Sequence, residues 1–295
     1  MANSSANPGV TATMPVVPAD APSPARARRK WKVSLVLAVA YMVALVLIAI
    51  FAPLVAPYDP LHQDLDNALA DPTWAHPLGE DYVGRDVLSR LIFGIRPTLI
   101  GTVIAVGTGC LIGIPWGLVA GYAGGAADLV LMRVADALLV FPGIILALTI
   151  TSALGPSLVS TMVSVGIVFS PNLARIVRSG VILVRGRDYV LITRLFGQSA
   201  WYRMIHHVLP NAMAPTVVQV TLLSGIAILA QTGLNFLGLG VPNPEPSWGG
   251  SVAETFRYIV VQPQATIAPG LACAITVLAI YRIGDEIRDR VDLYR

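Results

Sequence analysis

Long apolar runs separated by short polar stretches dominate this chain. "VSLVLAVAYMVALVLIAIFAPLVA" fills residues 33–56 without a single charge, and further apolar runs occupy about 97–120, 131–154, 158–177, 212–237 and 265–284. A helix needs about 20 apolar residues to cross a hydrocarbon core of about 30 Å, so the pattern predicts six transmembrane helices and an all-α, polytopic membrane protein. The first run is about twice as long as the apolar region of a cleaved signal peptide, which reads it as a retained span. Residues 1–30, opening "MANSSANPGVTATMPVVPADAPSPA", are rich in Pro, Ala and Ser and predict a disordered tail. The first helix is placed at 31–56, a loop with an interfacial helix at 57–96, a five-helix core at 97–284, and a short tail at 285–295.

Two polar stretches interrupt the apolar pattern. Residues 178–211, "RSGVILVRGRDYVLITRLFGQSAWYRMIHHVLPN", read as two short amphipathic helices between spans. Asp188 is placed to cap the first and Gly197 to break it; Ser199 is placed to cap the second and Pro210 to end it. Such a helix pair, apolar on one side and cationic on the other, suits docking into a groove on a soluble partner. The second stretch, 57–96, ends in "DVLSRLIFGI", which predicts an amphipathic helix at the membrane surface.

Composition agrees with the pattern: of 295 residues, 55% are hydrophobic and 13% charged, with a mean hydropathy of +0.69. The distribution of basic residues then orients the spans. With the N-terminus inside, sixteen Lys and Arg fall inside, and only Arg85, Arg90, Arg96 and Arg257 fall outside. That asymmetry places both termini in the cytoplasm. It also accounts for the net charge of +3 without a nucleic-acid partner. The outer loop 57–96 carries seven acidic residues against three arginines. Trp248, Tyr258 and Arg257 read as an interfacial aromatic belt with a solvated arginine.

Candidate chemistry is sparse. Lys30 and Lys32 are the only lysines, so no P-loop exists and the chain cannot hydrolyse ATP alone. No His-Glu-x-x-His, Cys-x-x-Cys or Gly-x-Ser-x-Gly occurs, and Cys110 and Cys273 read as small apolar core residues. No catalytic, cofactor-binding or metal-ligating residue is expected, and His206 and His207 are read as contact residues. Asp136, three residues after Arg133, reads as half of a structural pair on one helix face. Gly109, Gly113, Gly117, Gly121 and Gly125 recur every fourth residue and predict a helix-packing stripe, either static or moving.

The cytoplasmic stretch resembles the signature of the permeases of ATP-binding-cassette importers, which runs Glu-Ala-Ala, three residues, Gly, nine residues, Ile-x-Leu-Pro. Here the glycine is Gly197 and the ending is His207, Val208, Leu209 and Pro210, followed by Asn211. "HPLGEDYVGRDVLSRLIFGIR", "GYAGG", "VFPG", "FLGLG" and "GVPNPEPSWGG" are similar to landmarks of the C-type subunits of dipeptide, oligopeptide and nickel importers, over about residues 33–292. One departure stands out: the Glu-Ala-Ala triplet falls on Leu191, Ile192 and Thr193.

The resemblance implies a type I importer permease fold in a bacterial inner membrane, with coupling helices at 189–209 docking on ATPases. Leu191, Ile192, Thr193, Arg194, Gly197, Arg203, His206, His207, Leu209 and Pro210 would form that contact. The implied partners are a homologous B-type permease, two ATP-binding-cassette ATPase domains, which would bind the ATP and Mg, an extracytoplasmic solute-binding protein, and membrane lipid. Cargo stays open among dipeptides, oligopeptides, nickel chelates, glutathione and haem-like compounds. A rival reading is an ion-coupled secondary transporter, which predicts internal repeats and intramembrane acids that the sequence does not offer. Another is a structural or sensory membrane protein, which would not need the helix pair.

Overall fold

The computed structural model describes residues 33–292; the tail predicted at 1–30 lies outside them. α1 (Val33–Ile50) and the short α2 (Ala52–Val55) make a first pass, and α3 (Val87–Phe93) leads through Gly94 into α4 (Ile95–Ala123). α5 (Gly125–Val140) and α6 (Gly143–Leu154) form a pair, and α7 (Leu158–Arg185) returns. A short excursion follows through α8 (Asp188–Leu195), α9 (Ala200–Arg203) and α10 (Leu209–Ala212), before α11 (Ala214–Phe236), α12 (Trp248–Thr255) and α13 (Pro263–Asp292). Among the described residues, five helices are long and apolar enough to cross a membrane, or six if α5 and α6 count as one span.

Because successive passes alternate in direction, the loops around 56–86 and 237–262 share one end of the bundle, the loop end. Residues 186–213 occupy the other. α1 starts at this second end and α13 finishes there, where Arg282 donates to Ser34 Oγ at 3.0 Å. Tyr41 and Thr276 hydroxyls, 2.9 Å apart, tie the same two helices further along.

The single helix predicted over 131–154 is instead the pair α5–α6, bent by 94°. Phe141, at φ −78° and ψ 137°, takes the extended conformation that a following proline favours, and Pro142 has no N–H to continue the ladder. Two other limits move: α7 runs to Arg185, well past 177, and α13 continues to Asp292, into the stretch assigned to a tail at 285–295. Asp136 does not pair with Arg133, which is exposed; its carboxylate accepts from Arg175 of α7. Nearby, Arg178 donates to both oxygens of Asp128, with Nη2 to Oδ2 at 2.6 Å, so two ion pairs hold α5 to α7.

Among the described helices, α4 and α7 share the most extensive contact, along the glycine stripe. A Cβ added at Gly113 would fall 2.7 Å from Ser170 O, at Gly117 2.3 Å from Ala174 O, and at Gly121 2.9 Å from Arg178 O. Gly166 of α7 answers from the other side, where a Cβ would meet Ala105 O at 2.6 Å. Small residues permit this backbone approach where lipid gives no hydrophobic reason for helices to associate. Gly109 sits on the same line with somewhat more room, its added Cβ 3.3 Å from Phe169 Cβ, still tighter than ordinary van der Waals contact. Gly125 leaves it: at φ +57° it opens α5, and its added Cβ would meet nothing within 4 Å.

A buried ionic cluster organises the loop end. Arg85 and Arg90, both 3% exposed, converge on Glu254, with Arg85 Nη2 at 2.5 Å and Arg90 Nη2 at 3.3 Å from the same carboxylate oxygen. Arg85 Nε also donates to Asp81 Oδ2 at 2.7 Å. Arg90 Nη1 reaches the carbonyls of Pro60 and Pro244, so one guanidinium gathers two loops and α12. Burial works against the Arg85 charge, but the Asp81 and Glu254 carboxylates outweigh it and hold its pKa above the ordinary arginine value.

The amphipathic helix predicted at the membrane surface therefore exists as α3, capped by Asp86 Oδ2 on Ser89 N at 2.7 Å, but its polar side is buried in this cluster. Trp248 is likewise no belt residue: it is 2% exposed, and its indole N–H donates to Leu91 O at 2.9 Å. Tyr258 stacks on Tyr82 with ring centroids 5.5 Å apart, and Arg257 is exposed.

Two outcomes are expected. Gly117→Val should lower the melting temperature of the purified protein, overpacking of this kind costing about 1–3 kcal/mol, whereas Gly107→Ala on the same helix, with open space around it, should not. Equal melting of the two variants would contradict the seam. Glu254→Gln leaves two buried guanidinium groups short of their shared carboxylate and should cost about 3–5 kcal/mol in a denaturant titration; a loss under about 1 kcal/mol, as for a surface pair, would contradict the burial.

Candidate functional site

The segment 188–212 is built in two layers. On its inner side Val190, Met204, Val208 and Ala212 are buried against Leu118 of α4 and Val177, Val181 and Val184 of α7. Met204, Val208 and Ala212 are spaced four apart, which keeps them on one helical face. Gly180 lets the layers touch: a Cβ there would fall 2.8 Å from Ala212 O. On its outer side the segment is apolar and uncovered, with Leu195 86%, Phe196 81% and Trp201 68% exposed and Leu191 and Ile192 about half exposed.

Local chemistry explains the path. Gly197, at φ +74°, ends the first helix in a conformation that side-chain-bearing residues avoid. Ser199 Oγ accepts from Tyr202 N at 3.2 Å and caps α9 as the sequence predicts. Pro210 does not end the helix. Having no N–H to offer the carbonyl four residues back, it is accommodated by a π turn over Met204–Val208, in which Leu209 N–H reaches Met204 O. Asn211 Nδ2 takes up the His207 carbonyl at 2.7 Å, and the helical path continues to Ala212.

The polar side chains of the segment are turned on one another. The Arg203 guanidinium donates to the Gln198 carbonyl, while His207 Nε2 lies 3.2 Å from Gln198 Oε1. The His206 ring stacks on Tyr202 at 4.2 Å, with Nδ1 3.2 Å from the Tyr202 carbonyl. Thr193 Oγ1 donates to Val190 O at 2.7 Å, Leu209 is half-buried and Pro210 exposed. Arg194 lies on α8, and its side chain is outside the described residues. Among the described residues no group of three or more His, Cys, Asp or Glu gathers in a way that could hold a metal ion.

Sequence reasoning missed two residues that the fold brings to this segment. Tyr122 OH accepts from Arg203 Nε at 3.3 Å, and Arg185 Nη1 donates to the carbonyls of Gly121 and Tyr122 at 2.7 and 3.1 Å. The available signal was a tyrosine placed at the end of an apolar helix, inside the quoted "GYAGG". The predicted glycines meet the segment here: Gly113, Gly117 and Gly121 press α4 onto the helix that carries Arg185.

Most of the chain resembles known permeases. Residues 113–293 match the family described as binding-protein-dependent transport system inner membrane component, and residues 34–72 match the N-terminal transmembrane domain of oligopeptide transport permease C. The di/tripeptide transport system permease protein DppC of Pseudomonas aeruginosa is 41% identical over 258 residues, covering 85% of both chains. The glutathione transport system permease protein GsiD of Pectobacterium atrosepticum is 36% identical over 253 residues, covering 85% of this chain and 84% of that one. Among solved structures, the MetNI methionine ABC transporter in an inward-facing conformation aligns with a TM-score of 0.57 at 20% identity, over 68% of this chain and 96% of that chain, a likeness of fold. With apolar spanning helices, the seam of close packing and a family match over most of its length, the chain belongs to the binding-protein-dependent transport system inner membrane components, as a permease subunit of an ABC importer.

Proposed function

We propose that this permease forms half of the translocation path for di- or tripeptides and that soluble ATPases dock on residues 188–203. The relatives named for di/tripeptide, dipeptide and glutathione transport support the cargo class, since glutathione is itself a tripeptide. The observation that carries the docking site is the two-layered segment: an apolar outer face with no cover, held by an inner layer buried on α4 and α7. ATP and Mg would be held by the ATPases, a homologous permease would complete the path, and a solute-binding protein would deliver cargo at the loop end. That places residues 186–213, the start of α1 and the end of α13 on the cytoplasmic side of a bacterial inner membrane, in line with the excess of Lys and Arg there.

Magnitudes explain how docking works without the acid of the family signature. Leu191 and Ile192, standing where that triplet falls, are about half exposed. Fully burying a Leu, Ile or Phe side chain stabilises by about 1.5–3 kcal/mol. An exposed ion pair contributes about 0–1 kcal/mol. Apolar contact through Leu191, Ile192, Leu195, Phe196 and Trp201 therefore outweighs the lost charge.

Gly197→Val strains a backbone at positive φ by about 1–3 kcal/mol and re-aims α8 relative to α9. The variant should insert normally in the membrane, co-isolate with far less ATPase and support no ATP-dependent uptake; full co-isolation and uptake would contradict the docking site, and deletion of 193–207 should match it. Alanine at both His206 and His207 removes the Tyr202 stack and the Gln198 contact, and should weaken ATPase co-isolation without changing metal content by elemental analysis. Loss of a stoichiometric metal would reverse that reading.

A further inference from the structure

We propose that the Arg203–Tyr122 contact is the latch through which the docking segment moves α4, with Arg203 and Tyr122 acting as positioning residues; this rests on the docking site proposed above. Three observations converge on it. First, Arg203 joins two bodies. Its guanidinium donates to the Gln198 carbonyl in the α8–α9 turn, while its Nε donates to Tyr122 OH at 3.3 Å. Gln198 is also held by His207 through its side chain, so displacement of the turn is passed to Arg203 and away from a slack loop.

Second, the receiving end of α4 is prepared for a directed pull. The last carbonyls of a helix have no partner within it and carry negative partial charge. Arg185 Nη1 satisfies two of them, Gly121 and Tyr122. Tyr122 is thus clamped through its backbone to the end of α7 and through its hydroxyl to the docking segment. The remaining contacts between the layers, Val190, Met204, Val208 and Ala212 on Leu118, Val177, Val181 and Val184, are apolar and non-directional. Among the described residues of the segment, the Arg203 bond gives the interface a fixed register on α4.

Third, α4 can deliver such a movement to the far end. It runs unbroken over Ile95–Ala123 and joins α3 at Gly94, where an added Cβ would fall 2.9 Å from Trp248 Cδ1. α3 carries Arg90, which gathers Pro60, Pro244 and Glu254 at the loop end. A displacement at Tyr122 therefore has a continuous, tightly packed route to the surface proposed to receive the binding protein.

The test uses the complete transporter complex in nanodiscs, with ATP hydrolysis measured with and without the solute-binding protein. Tyr122→Phe removes one oxygen and leaves the ring packed, so basal hydrolysis by the ATPases and the melting temperature should stay at wild-type values. Stimulation by the binding protein should fall about fivefold or more, the lower range of a typical coupling between sites. Arg203→Ala should cause the same loss, and adding it to Tyr122→Phe should cause little further loss, because both remove one contact. Arg203→Lys, which can still donate to the hydroxyl, should restore part of the stimulation. Undiminished stimulation in Tyr122→Phe, or losses that add independently in the double variant, would overturn the latch. A failure of the docking site itself looks different: the unsubstituted chain would not co-isolate with ATPases at all.

Discussion

Backbone contact between α4 and α7 is the constraint on which the other arrangements depend. At Gly117 the helices come so close that a single added carbon would overlap the Ala174 carbonyl, and the same holds at Gly113, Gly121 and, from the opposite helix, Gly166. In lipid, apolar side chains gain nothing by leaving one apolar neighbour for another, so van der Waals contact of this kind is what holds helices together. The seam fixes where Arg185 and Val177–Val184 lie relative to Tyr122, and so fixes the platform on which the 188–212 segment sits.

The two ends of the bundle are stabilised differently. At the loop end, buried charges do the work: Arg85, Arg90, Asp81 and Glu254 are satisfied by one another and by loop carbonyls, an arrangement in which removing one member leaves a buried charge short of its partner. At the other end, apolar burial on the inner side leaves an apolar face outward, a surface suited to a partner that comes and goes. Fixed polar geometry at the loop end and a replaceable apolar cover at the other fit a protein that must present one rigid surface and one docking surface.

Much of this was legible in the sequence, and the failures share a cause. Apolar runs gave the spans because the bilayer sets their length, and the Gly109–Gly121 spacing marked the seam because a helix repeats nearly every fourth residue. Two prolines behave otherwise than their sequence reading, Pro142 inside a predicted span and Pro210 as a helix stop. Pro115, Pro171 and Pro269 lie inside α4, α7 and α13, Pro142 bends a span by 94°, and Pro210 is absorbed by a π turn. Which outcome occurs depends on whether the surrounding ladder can readjust, as it does where Leu209 N–H reaches Met204 O ahead of Pro210. The burial of Trp248, Arg85 and Arg90 was not legible because their partners Leu91 and Glu254 are remote in sequence, 157 and 169 or 164 positions away, and no local pattern reports such contacts. The Arg203–Tyr122 bond was hidden for the same reason.

The central claim is that this chain moves its cargo with energy supplied by ATPases docked on residues 188–203, and the most direct measurement is uptake into sealed vesicles carrying the complete transporter. Labelled dialanine presented with the solute-binding protein should accumulate when ATP is enclosed on the side of residues 186–213, and should continue to do so after proton and sodium gradients are collapsed. Accumulation that needs an ion gradient and proceeds without ATP would contradict the account.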